Sequence, residues 1–206
     1  MFSNDVSGAV AQIEAALDVL AGVDLAALSA TDLVGVAERY ETLVRRHRVV
    51  CGDVAVELSR RSTAELGGAP HKVLADWLRI TPAEARRRVT LAEPLGPRTS
   101  LLGEALPPRH PATAAGWRSG DLDVEHVRVI ARFLDELPLA VSTADRGDAE
   151  ALLAEQARLM RPDQLMKCAQ QLALILNPDG VFSDADRAAR RGFTWGPQQS
   201  NGMSQG

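Results

Sequence analysis

The sequence predicts an all-α protein: a multi-helix bundle with one long helix, helix-turn-helix-like hairpins, and a short incomplete β hairpin at the C-terminus. Three observations support this class. Hydrophobic residues make up 46% of the chain but aromatic residues only 4%, so the apolar content comes mainly from Ala, Leu and Val, which suits helices. Apolar residues recur every three or four positions, and Gly and Pro punctuate the periodic segments. The 206 residues can bury one good core in one or two domains.

Two amphipathic helices are predicted at the N-terminus. The first carries an apolar stripe formed by Val6, Val10, Ile13, Leu17 and Leu20, and Gly22 ends it. The second is long, about 30 residues or ~45 Å, and its apolar seam comprises Leu33, Val36, Tyr40, Leu43, His47, Val50, Val54 and Leu58. This spacing is typical of coiled coils and bundles. We expect a structural spine or half of a dimer interface, with Leu33, Val36, Tyr40, Leu43 and His47 as the interface residues.

The stretch from Leu74 to Val89, "LADWLRITPAEARRRV", resembles a helix-turn-helix. Thr81 can cap the second helix, Pro82 fits its first position, and Glu84 would complete a capping box. The inward positions are Leu74, Ala75, Leu78, Ile80, Ala85 and Val89. The turn position that usually holds glycine is Arg79, which requires an uncommon backbone conformation or a wider turn. Arg88 lies at the edge of the buried face and can pair with Glu84.

Charge makes this hairpin a candidate for binding DNA. Residues 39–91 carry a net charge of +5, although the whole chain carries −4, which indicates a basic face on an acidic body. Arginine can grip phosphate or guanine with its planar fork. The candidate nucleic-acid-binding residues are Arg79, Thr81, Ala83, Arg86, Arg87, Arg60 and Arg61. The alternative is an ordinary helical hairpin with a solvated arginine face.

The rest of the sequence predicts further helices, followed by β structure at the C-terminus. A second hairpin of similar shape spans residues 112–137, with Gly120 closing its first helix and Asp123 capping its second. Helices follow around residues 152–160, from Pro162 to "NPDG", and at 183–191. Residues 193–206 predict a β hairpin whose return strand is missing. We therefore expect three parts, 1–66, 67–192 and 193–206, with a further module beyond.

The sequence contains no pattern that predicts catalysis, a cofactor or a metal site. No Cys/His cluster has metal spacing, and no phosphate loop or nucleophile elbow is present. Cys51 and Cys168 fall at apolar positions and are expected to be buried thiols. The N-terminus does not read as a secretory signal, and no segment approaches the ~20 apolar residues of a membrane span. A cytoplasmic protein that is not an enzyme, with no membrane or small-molecule partner, is the expectation.

Four segments in order carry a family resemblance: "WLRITPAEARRRVTLAEPL", "HPATAAGWRSGDLDVEHVRVI", "RPDQLMKCAQQLALILNPDG" and "RRGFTWGPQQSNGMSQG". Together they resemble the 13E12 repeat family, whose N-terminal region is classed as domain of unknown function 222. The resemblance implies association with DNA and a C-terminal HNH nuclease module in longer members, which would supply metal-binding histidines. It assigns no catalytic residue to this chain.

These observations predict a DNA-binding or DNA-positioning module of an HNH-nuclease-like protein, ending before the nuclease part. The alternative is a helical scaffold or dimerisation module with no nucleic-acid role, acting through the long helix.

Overall fold

The computed structural model describes residues 4–100 and 102–178 and confirms the all-α class. The α-helices are α1 Asn4–Ala21, α2 Ala30–Ser59, α3 Thr63–Leu66, α4 Pro70–Leu78, α5 Pro82–Ala92, α6 Pro111–Ser119, α7 Val124–Glu136, α8 Thr143–Ala157 and α9 Pro162–Leu176. Two short strands, β1 Arg98–Thr99 and β2 Ala105–Leu106, pair antiparallel. The predicted helix at 183–191 and the incomplete hairpin at 193–206 lie outside the described residues.

The chain divides into two compact units, residues 1–42 and 43–206, and the boundary falls within α2. The division expected from the sequence, after residues 66 and 192, stays a prediction. In the first unit, α1 ends where the Gly22 N–H donates to the carbonyl of Asp18 at 3.3 Å. Asp24 then caps a single 3₁₀ turn by accepting the Ala26 N–H at 3.1 Å. None of residues 5–42 is buried.

Helix α2 confirms the predicted long helix, with 30 residues. The face that it buries in the second unit differs from the predicted seam: Val49, Gly52, Ala55 and Val56 are buried, whereas the seam residues Leu43, Val50 and Val54 are exposed. The reason is close packing against α5, since a Cβ on Gly52 would lie 2.9 Å from the Ala92 Cβ. Two of the four buried residues, Gly52 and Ala55, are small. A pattern based on large apolar residues therefore does not reveal this face.

The main core of the second unit lies among α6, α7, α8 and α9. Its fully buried apolar side chains are Leu122, Ile130, Leu153 and Leu165. Gly116 permits the closest approach, because a Cβ there would lie 2.4 Å from Leu122 Cδ1. His126 is also buried: its Nδ1 accepts the Asp123 N–H at 3.2 Å, and its Nε2 bonds the Met160 carbonyl at 2.8 Å. The bond to the Met160 carbonyl makes His126 a structural link between α7 and the segment that precedes α9.

Two charged side chains satisfy helix ends that would otherwise leave polar groups without partners. Glu150 is buried and accepts hydrogen bonds from the Thr113 N–H and hydroxyl, each at 2.6 Å, and from the Ala112 N–H at 3.3 Å. Its carboxylate thus stabilises the N-terminus of α6. Arg146 donates to the carbonyl of Leu134 at 3.0 Å, in the last turn of α7, and to that of Leu137 at 3.1 Å, just after the helix ends.

Some local features differ from the sequence expectation. Helix α3, with its Ser62 capping box, and the β1–β2 pair are elements for which the sequence analysis gives no prediction. Cys51 is exposed, not buried, and Cys168 is half-buried, because the face of α2 that carries Cys51 is not the one turned to the core. Within the described residues, no helix combines the length and apolarity that crossing a membrane requires.

Candidate nucleic-acid interface

Helices α4 and α5 form the predicted hairpin over a small core of their own. Leu74, Ala75 and Ala85 are buried together with Ala55 of α2, and Ile80 and Val89 pack against them partly buried. Leu78 was expected to point inward but is 49% exposed. The core beneath this hairpin consists mostly of alanines, so it holds the two helices close together without covering the end of α4.

The turn confirms the uncommon backbone conformation expected at Arg79. Its φ of 54° and ψ of 43° are left-handed, a conformation that glycine adopts most readily. The Arg79 N–H donates to the Ala75 carbonyl, and the Ile80 N–H donates to the same oxygen at 3.0 Å, as in a Schellman ending. The backbone bonds hold the turn, and the Arg79 side chain is exposed to solvent.

The start of α5 is capped by Thr81, whose Oγ1 accepts the Glu84 N–H at 3.1 Å. The second half of the predicted capping box does not form. The Glu84 carboxylate instead accepts from Arg88 Nε at 3.0 Å and also pairs with Arg87. The hydrogen bond from Arg88, reinforced by Arg87, lowers the pKa of Glu84. One carboxylate therefore serves two guanidinium groups, which leaves excess positive charge on this helix.

The three consecutive arginines of α5 do not share one face. Arg86 donates to His71 Nε2 at 2.8 Å, so this imidazole nitrogen acts as an acceptor. Arg87 and Arg88 turn the other way and line a cleft of about 540 Å³ between α2, α5 and α7. Arg87 remains 58% exposed and Arg88 37% exposed despite their shared carboxylate.

The cleft brings four arginines together, of which the sequence analysis selected only Arg87. The others are Arg48, which pairs with Asp123, Arg128, which pairs with Glu125, and Arg88. Four guanidinium groups thus face three carboxylates in this concave surface. Nothing in the sequence indicated that Arg48 of α2 and Arg128 of α7 would meet α5 there.

Arg60 and Arg61 lie at the end of α2, where both interact with Glu57: Arg61 at 2.8 Å and Arg60 at 3.6 Å. Arg60 also donates to the Pro97 carbonyl at 3.2 Å. Among the described contacts none joins them to Arg86 or Arg87. Ala83 is exposed and borders a second cavity with Arg87 and Arg132. Of the predicted set, the structure places Arg79, Thr81, Ala83, Arg86 and Arg87 on one hairpin.

Trp77 adds an unusual feature to this hairpin. It lies two residues before Arg79 at the end of α4, and its side chain is 84% exposed. In the part of the chain that the structure describes, no group of three or more His, Cys, Asp or Glu residues is placed to hold a metal ion. The chemical character of the surface is therefore cationic and aromatic.

The chain matches the family described as "Domain of unknown function (DUF222)" over residues 34–206. It is 42% identical over 201 residues to the uncharacterized protein Rv1128c of Mycobacterium tuberculosis strain H37Rv, covering 97% of this chain and 45% of that protein. It is 41% identical to the uncharacterized protein Mb1179c of Mycobacterium bovis, over 97% of this chain and 44% of that protein.

The chain thus spans about half the length of the curated relatives that it matches. No solved structure matches it. The family match covers most of the residues, including both hairpins and all of the cleft described above. On this evidence the chain belongs to the DUF222 family.

Proposed function

We propose that α4 and α5 form a DNA-binding element that positions duplex DNA. The observation that carries this proposal is the exposed positive charge around the start of α5. Residues 70–92 have a net charge of +3 in a chain of net charge −4, and the Arg87 side chain keeps 58% of its surface exposed. Such a surface attracts the phosphate backbone regardless of base sequence.

The start of α5 combines two features that favour phosphate. Its helix dipole attracts anions, and Thr81 and Ala83 are exposed there with short side chains that allow close approach. Arg79 and Arg86 flank this helix start, and their guanidinium groups can each donate two parallel hydrogen bonds to a phosphate. Glu84 already pairs with Arg87 and Arg88, so a DNA phosphate has to displace its carboxylate from these guanidinium groups.

Trp77 supports the same surface. An indole that is 84% exposed loses contact with water when it lies against a sugar of the DNA backbone, and this burial of apolar surface favours binding. Its position beside Arg79 places apolar and cationic contacts at one end of the hairpin.

The resemblance to the 13E12 repeat family supports a second part of the proposal. In the longer relatives, for which we propose a cytoplasmic location, an HNH-nuclease-like module would supply metal-dependent phosphodiester hydrolysis, and the helical region described here would position the DNA. The greater length of the curated relatives leaves room for such a module. The purified chain with Mg²⁺ is then expected to leave duplex DNA uncut.

The test is fluorescence anisotropy with a labelled 20-base-pair duplex at several salt concentrations. The Arg86→Ala/Arg87→Ala variant is expected to bind at least about tenfold more weakly at low salt, with a slope of log K against log salt shallower by about 2, because two phosphate contacts are lost. The control is Arg158→Ala/Arg161→Ala, which removes the same charge from exposed ion pairs with Asp121 and Asp163.

The opposite change sharpens this test. Glu84→Gln releases two guanidinium groups and should tighten binding several-fold, whereas Asp163→Asn, which frees Arg161 alone, should not. Equal losses in the two double-arginine variants would show nonspecific attraction and reject the hairpin as the site. Absence of salt-sensitive binding by the wild-type chain would leave the alternative, a helical scaffold or dimerisation module without a nucleic-acid role.

A further inference from the structure

The N-terminal unit, residues 1–42, has two amphipathic helices but no core of its own among the described residues. On α1 the predicted stripe of Val6, Val10, Ile13, Leu17 and Leu20 is exposed throughout, with exposed fractions between 44% and 51%. On the first part of α2, Leu33, Val36 and Tyr40 are likewise 38–42% exposed. These eight side chains form the N-terminal stripes.

An uncovered stripe of this kind is unfavourable for a helix in water. Helices of this length gain most of their stability by packing an apolar face, not from intrinsic propensity. Contiguous apolar surface on this scale also marks interaction sites on soluble proteins. Some molecule is therefore expected to cover the stripes.

The charge of the unit restricts what that molecule can be. Residues 5–42 contain seven acidic residues and one basic residue, Arg39. An anionic membrane surface or a nucleic acid would be repelled by this net charge of −6. The acids Glu14 and Asp18 on α1 and Glu38 on α2 lie about 80° or more from the centres of the stripes by helical geometry, so a protein partner can cover the apolar faces without burying them.

We propose that the occupant is a second copy of this chain, joined through the N-terminal stripes in a coiled-coil or four-helix contact. Both stripes repeat with the alternating three- and four-residue steps that such contacts use. Full burial of the eight side chains in both copies would remove roughly 1,200 Å² from water, which reaches the lower limit for stable protein interfaces. A copy of the chain supplies the matching stripes without any other component.

The test is the molar mass in solution, measured by light scattering and sedimentation over a range of micromolar concentrations. The wild-type chain should be a dimer. Val10→Asp and Val36→Asp should each raise the dissociation constant by about 100-fold or more, because a carboxylate would be buried at the contact. Added salt should leave the dimer unchanged or tighten it by screening the acidic units, opposite to its effect on DNA binding.

The chain offers matched controls on the same helices. Val19 and Val34 are 72% and 68% exposed and lie away from the stripes, so Val19→Asp and Val34→Asp add the same charge and the same change in helix propensity. These variants should remain dimeric. If an Asp variant loses helicity by circular dichroism, the corresponding Val→Ser pairs make the same comparison. A monomeric wild type, or equal dissociation by stripe and control variants, would overturn the proposal.

Discussion

The two helix-turn-helix-like pairs of the second unit both end their first helix with a left-handed residue, but the residues differ. In the α6–α7 pair the left-handed position is Gly120, with φ of 85°. In the α4–α5 pair it is Arg79, with φ of 54°. A non-glycine residue in this region costs about 1 kcal/mol or more. The α4–α5 turn therefore carries this backbone strain, and it places a guanidinium group at the surface.

The two pairs also differ in how deeply their large side chains are buried. Trp117 of α6 is 3% exposed, and Trp77, at the corresponding end of α4, is 84% exposed. The α6–α7 pair buries its aromatic and histidine side chains in the core, whereas the α4–α5 pair exposes its tryptophan to solvent. The placement of these large side chains therefore distinguishes two helix pairs of similar shape, and the DNA-binding proposal concerns the pair whose tryptophan is exposed.

The two tryptophans give the largest expected difference. Trp117→Ala should lower the free energy of unfolding by about 3–5 kcal/mol, since it empties a packed site. Trp77→Ala should change it by less than about 0.5 kcal/mol, as expected for an exposed site, while weakening DNA binding. Urea unfolding followed by circular dichroism measures both values. Comparable destabilisation by the two variants would mean that Trp77 is covered in solution.

The two turns should respond to substitution with opposite signs. Arg79→Gly should raise the free energy of unfolding by about 1 kcal/mol because it relieves the left-handed strain. Gly120→Ala should lower it by about the same amount. Under the DNA-binding proposal, Arg79→Gly should also bind duplex DNA more weakly although it is more stable. A loss of stability in Arg79→Gly would show that the arginine side chain contributes packing that outweighs the backbone strain.

Much of this fold could be predicted from local patterns in the sequence. The three-and-four spacing in α2, the cap at Thr81, and the turn glycine Gly120 act within a few residues and were predicted correctly. The buried face of α2 could not be predicted, because the burial of Gly52 and Ala55 depends on how closely α5 approaches α2. The capping box at Glu84 failed for a related reason: the charged hydrogen bonds to Arg87 and Arg88 are stronger than one to a backbone amide.

The candidate site was only partly accessible to the same reasoning. Arg86 and Arg87 could be selected because they lie beside a predicted helix start. Their divergence follows from the 100° step between neighbouring residues of a helix, which directs Arg86 toward His71 and Arg87 into the cleft. The arrival of Arg48 and Arg128 at that cleft depends on how three helices pack, and this information is spread over segments up to 80 residues apart.

The smallest expected effects are two pH dependences, one in each pair. Burial lowers the pKa of His110, which precedes α6, and the charge of Glu150 partly opposes this. As the pH falls below the ordinary His value of 6.5, the unfolded chain therefore takes up a proton that the folded chain does not, so stability declines there. His110→Gln should flatten the dependence of stability on pH in this window.

Glu84 also has a lowered pKa, so its contribution to folding stability is present above its ordinary pKa of 4.5 and is lost as the pH falls below that value. Glu84→Gln should then lower stability above the acidic window and remove the decline within it, measured by urea unfolding between pH 3 and pH 8. If either variant changed the slope in the other's window instead, the two pairs would be electrostatically coupled, and the contrast between the two pairs would have to be revised.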